Sequence, residues 1–209
     1  MEDVLDIYQW EYDANYPVVC MDEQPVQLIK ETRTPIPVKP GHPAKYDYEY
    51  ERNGTANVFM FVEPLAGWRR ASVREKKTRQ DWAVEVCSLL EADYPDAECI
   101  ILICDNLNTH SLGSLYETFA PEKAAELARR LEIRYTPKHG SWLNIAEIEL
   151  SVMTKQCLGR RISDIASLEN ETTAWAQERT ELQTGVDWQF TTADARIKLK
   201  QLYPQVQLS

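Results

Sequence analysis

The segment Cys99-Ile100-Ile101-Leu102-Ile103-Cys104-Asp105 decides the fold class. Six consecutive apolar residues leave no polar face, so a strand here must be covered on both sides, as the central strand of an α/β sheet is. It ends on Asp105, and in open α/β sheets ligands gather outside the carboxyl ends of central strands. Working upstream, Val18-Val19-Cys20-Met21 is a second apolar run, and it ends on Asp22. Between them, Asn57–Val62 is strongly β-prone, and Arg69–Arg74 alternates polar with small or apolar residues as an edge strand would. These two flank Glu63–Trp68, which reads as a hairpin turn.

Downstream the period changes. Trp82, Val86, Leu89 and Leu90 follow helical spacing, as do Ala124, Leu127, Ala128 and Leu131 behind Pro121. A short strand is expected around Ile133–Tyr135. The break at residues 137–141 then precedes a helix from about Leu143 to Leu158. Leu168, Trp175 and Leu182 place another helix, and Thr191-Thr192-Ala193-Asp194 reads as the start of the last. Pro35, Pro37, Pro40 and Pro43 make residues 34–43 an extended, turn-prone connector. The order predicts an α/β fold with a mixed sheet flanked by helices. Residues 1–17 are a lead-in segment, 18–160 the core, and 161–209 a C-terminal helical extension packed on it.

With 209 residues, 44% of them apolar, one composite domain closes without disulfides. The five cysteines form no CxxC pair and read as reduced, packed thiols. Met1–Trp10 carries three acids and no long apolar run, which argues against a signal peptide. No apolar stretch is long enough to span a bilayer. A cytoplasmic location without membrane contact is expected.

The net charge of −10 at first opposes a nucleic-acid partner. Its distribution is uneven: residues 1–50 hold ten acids and four bases, whereas Arg69–Arg79 holds six bases and one acid. Arg69, Arg70, Arg74, Lys76 and Lys77 are therefore candidate phosphate contacts, with Lys138 and Lys155 from two looser basic groups. An ordinary solvated face explains each group equally well.

Three acids stand out by position. If the strands ending on Asp22 and Asp105 are neighbours, their carboxylates converge at one rim, where their repulsion is relieved by a divalent cation. Such hard oxygen ligands suit Mg²⁺ or Mn²⁺. Glu147, near the start of the helix after Leu143-Asn144, supplies a third carboxylate, and two ions so held perform phosphoryl transfer. Other readings stay open. Either aspartate alone fits a turn residue, and Asn144-x-x-Glu147 fits a capping box. Glu149 competes with Glu147, although two residues along a helix turn it about 200° away.

Met21-Asp22-Glu23, Asp105-Asn106-Leu107-Asn108-Thr109-His110 and Tyr135–Glu147 together resemble the three acidic motifs of bacterial insertion-sequence transposases related to mariner, of the insertion-sequence six-thirty type, in the DDE superfamily of endonucleases. The resemblance implies a ribonuclease-H-like fold whose metal triad corresponds to Asp22, Asp105 and Glu147, holding two Mg²⁺ or Mn²⁺ ions. It implies cleavage of double-stranded DNA at element ends and strand transfer into target DNA, by a homodimer. Glu23, Asn106, Asn108 and His110 are supporting candidates, to orient a carboxylate or meet DNA. His139 and Trp142 precede the catalytic helix, where an aromatic can stack on an unpaired base; for Trp142 a place in the core is the slightly better fit. Two departures stand out: 41 residues separate Asp105 from Glu147, placing an insert in 113–131, and Ile145 stands where many relatives have proline. Relatives place helix-turn-helix modules ahead of this domain, and with Met1 only 21 residues before Asp22 that module is expected to be missing.

Overall fold

The computed structural model describes residues 1–45, 47–138 and 140–203. Five strands form one sheet of order β3-β2-β1-β4-β5: β1 (Val18–Glu31), β2 (Tyr50–Glu63), β3 (Trp68–Arg74), β4 (Ile100–Cys104) and β5 (Leu131–Tyr135). The first three are antiparallel, while β4 lies parallel to β1 and β5 parallel to β4. Parallel neighbours require crossovers. Helix α2 (Arg79–Ser88), extended by a π-helical turn at Leu89–Asp93, leads from β3 to β4; α3 (Leu112–Thr118) and α4 (Pro121–Arg129) lead from β4 to β5. The fold is thus a mixed sheet flanked by helices, and α3 and α4 occupy the region where an insert was expected.

Period-two alternation divides the core. On one face Val18 and Cys20 of β1, Val58, Met60 and Val62 of β2, and Ile101 and Ile103 of β4 pack under α5 (Ile145–Gln156), α6 (Ile165–Glu181) and α7 (Thr192–Lys198). On the other face Val19, Met21, Phe59, Phe61, Ile100 and Leu102 pack under α2, α3 and α4. All five residues of β4 are buried, as its sequence requires.

Two expectations need correction. The strand around Val18 does not stop at Asp22: β1 continues to Glu31 because β2 pairs with it from Cys20↔Val62 to Glu31↔Tyr50. Asp22 therefore sits within a strand, at the level where its parallel partner β4 gives out. The lead-in is also more than a lead-in. Residues Glu2–Ile7 form α1, which buries Val4, Leu5 and Ile7 in the core, and Arg196 of α7 makes a bidentate ion pair with Glu2 at 2.8 Å. The remaining connections follow local chemistry. The proline-rich connector spans β1 to β2 with isolated bridges Ile36↔Lys45 and Lys39↔His42. Gly67 turns the β2–β3 hairpin at φ +69, and a Cβ there would stand 2.9 Å from the backbone of Gln183. The expected start at Thr191 is a full capping box with Asp194.

Candidate active site beside the carboxyl end of β4

Sheet geometry brings the first two carboxylates together. The last parallel pair is Cys20↔Ile103, and two residues beyond each partner stand Asp22 and Asp105. Asp22 shares the parity of Val18 and Cys20, which turns it toward the face covered by α5, while Asp105 stands one residue beyond β4 with its carboxylate on His110.

The third arrives through α5. Asn144 caps this helix by accepting from the Ala146 amide at 3.1 Å, while its Nδ2 donates to the Met21 carbonyl at 2.9 Å. The helix start is thereby tied to the residue before Asp22. Asn144 is buried, and the Tyr8 hydroxyl adds a second tie by donating to the Leu143 carbonyl at 2.6 Å. Asn144 thus does cap the helix, but its second bond goes to the sheet. Glu147, one turn along, is exposed and lines a cavity of about 460 Å³ together with Asp22, Glu23, Gln24, Ser151, Thr154 and Lys155.

Glu149 points elsewhere. It is 4% exposed and accepts from Arg69 Nε at 2.8 Å and Arg179 Nη2 at 2.9 Å. Burial opposes its ionisation, but the hydrogen bonds and charges of the two guanidiniums more than offset that and hold its carboxyl below the ordinary value.

The environments of the two aspartates diverge. Burial pushes Asp22 up to about 7, opposed by the Glu23 amide and reinforced by the charges of Glu23, Asp105 and Glu147. Burial also works against ionised Asp105, yet the hydrogen bond and charge of His110 hold it below the usual range. His110 is 1% exposed; its Nδ1 lies 2.7 Å from Asp105 Oδ1 and its Nε2 3.2 Å from Glu23 Oε2, and its ring stacks on Trp82 at 5.9 Å. Burial would lower its basicity, but Asp105, Cys104 and Glu23 raise it to about 12, so the ring is an imidazolium. Glu23 faces the opposite side of β1 from Asp22, as its parity demands, and Lys77 Nζ stands 3.9 Å from its other oxygen.

The other candidates separate by exposure. Asn106 and Asn108 are exposed on the loop after β4. Lys76, Lys77, Lys138 and Lys155 are exposed. Trp142 is 38% exposed and stacks on Trp188 at 6.5 Å with Phe190 against its edge. His139 lies outside the described residues. Arg69 must be withdrawn from the phosphate contacts: its side chain is buried and spent on Glu149 and on the carbonyls of Gly67 and Thr184. Arg70 is held by Glu85 and Asp93, each at 2.8 Å, over the Phe61 ring, and Arg74 by Glu85 at 2.6 Å. Sheet alternation sends these arginines inward to satisfy buried acids, which a count of basic residues does not register.

Among the described residues, no three His, Cys, Asp or Glu side chains close on one point as a preformed metal cage. What the rim offers is a set of hard oxygen donors with Asp22 destabilised as an anion, and that donor chemistry fits a divalent cation.

A family model described as DDE superfamily endonuclease matches residues 17–169, well over half of the chain. The chain belongs to the DDE superfamily endonucleases. Among solved structures, the Mos1 transposase paired-end complex with left transposon end is 14% identical with a TM-score of 0.55, over 88% of this chain and 56% of that one. The Mos1 mariner paired end complex with Mn is 15% identical with a TM-score of 0.51, over 90% of this chain and 61% of that one. The Mos1 strand transfer complex is 13% identical with a TM-score of 0.51, over 87% and 56%. The likeness is one of fold, the ribonuclease-H-like mixed sheet, and the chain spans about 56–61% of the Mos1 chains it matches. No curated protein matches it. No helix among the described residues of this DDE endonuclease is long and apolar enough to cross a membrane.

Proposed function

We propose that this DDE endonuclease is the catalytic domain of a DNA transposase, of the mariner-related, insertion-sequence six-thirty type. Asp22, Asp105 and Glu147 would hold two Mg²⁺ or Mn²⁺ ions. What supports the reading is that Asp22 and Asp105 each stand two residues beyond the last parallel pair of β1 and β4, next to an α5 whose start is tied by Asn144 to the residue before Asp22. When bound, such ions supply Lewis acidity to the attacking and leaving oxygens of a phosphodiester.

The chain's own residues set the stage. His110 fixes the orientation of Asp105 and keeps it ionised. Asn144 keeps α5 against β1, so that Glu147 opens onto the same cavity as Asp22. Lys155, on that cavity's wall, and the exposed Lys76, Lys77 and Lys138 would meet DNA phosphates, and the exposed face of Trp142 would stack on an unpaired base. In the cleavage step water attacks phosphorus, the P–O bond to the 3′ oxygen breaks, and the 3′-hydroxyl is freed. In the joining step that hydroxyl attacks a target phosphodiester, displacing another 3′ oxygen, which takes up a proton. The Mos1 likenesses with transposon ends and with Mn support DNA and a divalent metal as partners. A homodimer on DNA completes the proposal.

The test is cleavage and joining of labelled linear DNA carrying candidate inverted repeats, with Mg²⁺ or Mn²⁺, comparing wild type with Glu147→Gln. Joined products lost in the variant support the transposase. Cleavage without joining makes the chain a hydrolytic nuclease, and a wild type that does neither has lost its chemistry or needs a DNA-binding partner.

A further inference from the structure

Glu149 has no place in the reaction just described, yet it is one of the most tightly held side chains in the molecule. Its two oxygens accept from two nitrogens of each of two guanidiniums: Arg69 Nε at 2.8 Å and Nη2 at 3.2 Å, Arg179 Nε at 3.0 Å and Nη2 at 2.9 Å. The arginines come from elements far apart in sequence, Arg69 from β3 and Arg179 from α6. Each is anchored a second time. Arg69 Nη1 donates to the Gly67 carbonyl at 2.8 Å and Nη2 to that of Thr184 at 2.5 Å, while Arg179 lies over the Trp175 ring at 5.2 Å. The Trp175 indole in turn donates to Gln156, at the far end of α5, at 2.9 Å.

This arrangement grips α5 on the side away from the rim. Glu149 follows Glu147 by two residues, about 200° around the helix, so fixing one carboxylate fixes the roll that presents the other. A rotation of α5 large enough to move Glu147 off the cavity would pull Glu149 out of a bidentate pair on each side. Fixed fork geometry makes such pairs directional as well as strong. Stability is not what this network best explains, since a buried ion triad is commonly matched or exceeded by apolar side chains of similar shape.

We propose that Arg69, Glu149 and Arg179 are positioning residues that set the roll of α5 and thereby aim Glu147 at the metal-binding rim. Arg179 lies outside residues 17–169, so part of the aiming device belongs to the C-terminal extension rather than to the shared endonuclease region. The inference rests on the reading of Asp22, Asp105 and Glu147 as metal ligands.

The experiment measures Mn²⁺ affinity by the electron paramagnetic resonance signal of the free ion, alongside the melting temperature. Four proteins are compared: wild type, Glu147→Gln, the triple variant Arg69→Met/Glu149→Leu/Arg179→Met, and Arg179→Lys. The expected result is a triple variant that melts within a few degrees of wild type but binds Mn²⁺ at least tenfold more weakly, approaching Glu147→Gln. Arg179→Lys, which keeps the charge and loses the fork, should weaken binding severalfold at unchanged melting temperature; it carries the test if the triple variant does not fold. Wild-type affinity in folded variants, with Glu147→Gln impaired, overturns the positioning role alone. A wild type that binds no Mn²⁺, or a Glu147→Gln that binds as well as wild type, overturns the ligand assignment beneath it.

Discussion

His110 Nδ1 stands 2.7 Å from Asp105 Oδ1, inside a pocket that also holds Glu23 3.2 Å from the other ring nitrogen. The imidazolium thus links the loop after β4 to β1, and it holds the Asp105 carboxyl below the ordinary range. Replacing it with alanine leaves the buried Glu23 carboxylate uncompensated except by Lys77 at 3.9 Å. The expected cost is ~2–4 kcal/mol of folding stability, read as the urea midpoint. His110→Gln, which restores a donor without the charge, should recover part of it. A His110→Ala protein as stable as wild type would remove this bridge from the account.

Asp22 is destabilised as an anion by burial and by three neighbouring carboxylates. In metal-free protein at pH 8, Asp22→Asn should therefore raise stability by ~1–3 kcal/mol. The same substitution should abolish the rise in melting temperature that wild type shows on adding Mn²⁺. A thermal shift with Mn²⁺ that survives in Asp22→Asn would place the ion elsewhere.

At the opposite end of the sheet Glu63 is 2% exposed, its Oε2 accepting from the Tyr94 hydroxyl at 2.7 Å and its Oε1 without a partner. Burial raises its carboxyl above the ordinary 4.5, and the Tyr94 bond offsets this only in part. Folding thus favours the protonated form. Its contribution is complete below pH 4.5 and is lost as the pH rises through the higher folded value. Glu63→Gln, which keeps an acceptor for Tyr94, should match wild type near pH 4.5 and exceed it by ~1 kcal/mol at pH 8. Denaturant midpoints at the two pH values check this, and a difference that shrinks toward pH 8 would refute it.

Exposure divides the basic segment after β2 into two kinds of residue. Lys76 and Lys77 are open to solvent, whereas Arg69 is buried on Glu149. The double change Lys76→Ala/Lys77→Ala should lower the slope of log affinity for duplex DNA against log salt by up to ~1.8. Arg69→Met should leave that slope unchanged. Fluorescence anisotropy at several KCl concentrations distinguishes them, and an unaltered slope in the lysine variant would remove this segment from the DNA track.

Much of the fold is legible because burial on two faces leaves a plain mark. The apolar run Ile100–Cys104 could only be a central strand, and the hairpin of β2 and β3 announces itself by its turn and its β-prone flanks. The extent of β1 is not legible, because its second half pairs only with β2 and faces solvent in part, so its sequence reads as mixed. Helix α1 has too few residues for periodicity to speak, and its stability comes from Val4, Leu5 and Ile7 entering a core built by distant segments. At the site, strand parity places Asp22 and the end of β4 places Asp105, but the competition between Glu147 and Glu149 turns on partners 80 and 30 residues away. The same long-range pairing consumes Arg69, which composition counts as a surface base. The bond from Asn144 to Met21 has no local signature at all.

The most direct test of the central claim is crystallographic: an anomalous difference map from crystals of the chain soaked in MnCl₂. The account predicts a peak between the carboxylates of Asp22 and Asp105, with Glu147 drawn toward it and Glu149 still held by Arg69 and Arg179. A map with no peak at that rim, or with Mn²⁺ bound only at other acids, would contradict it.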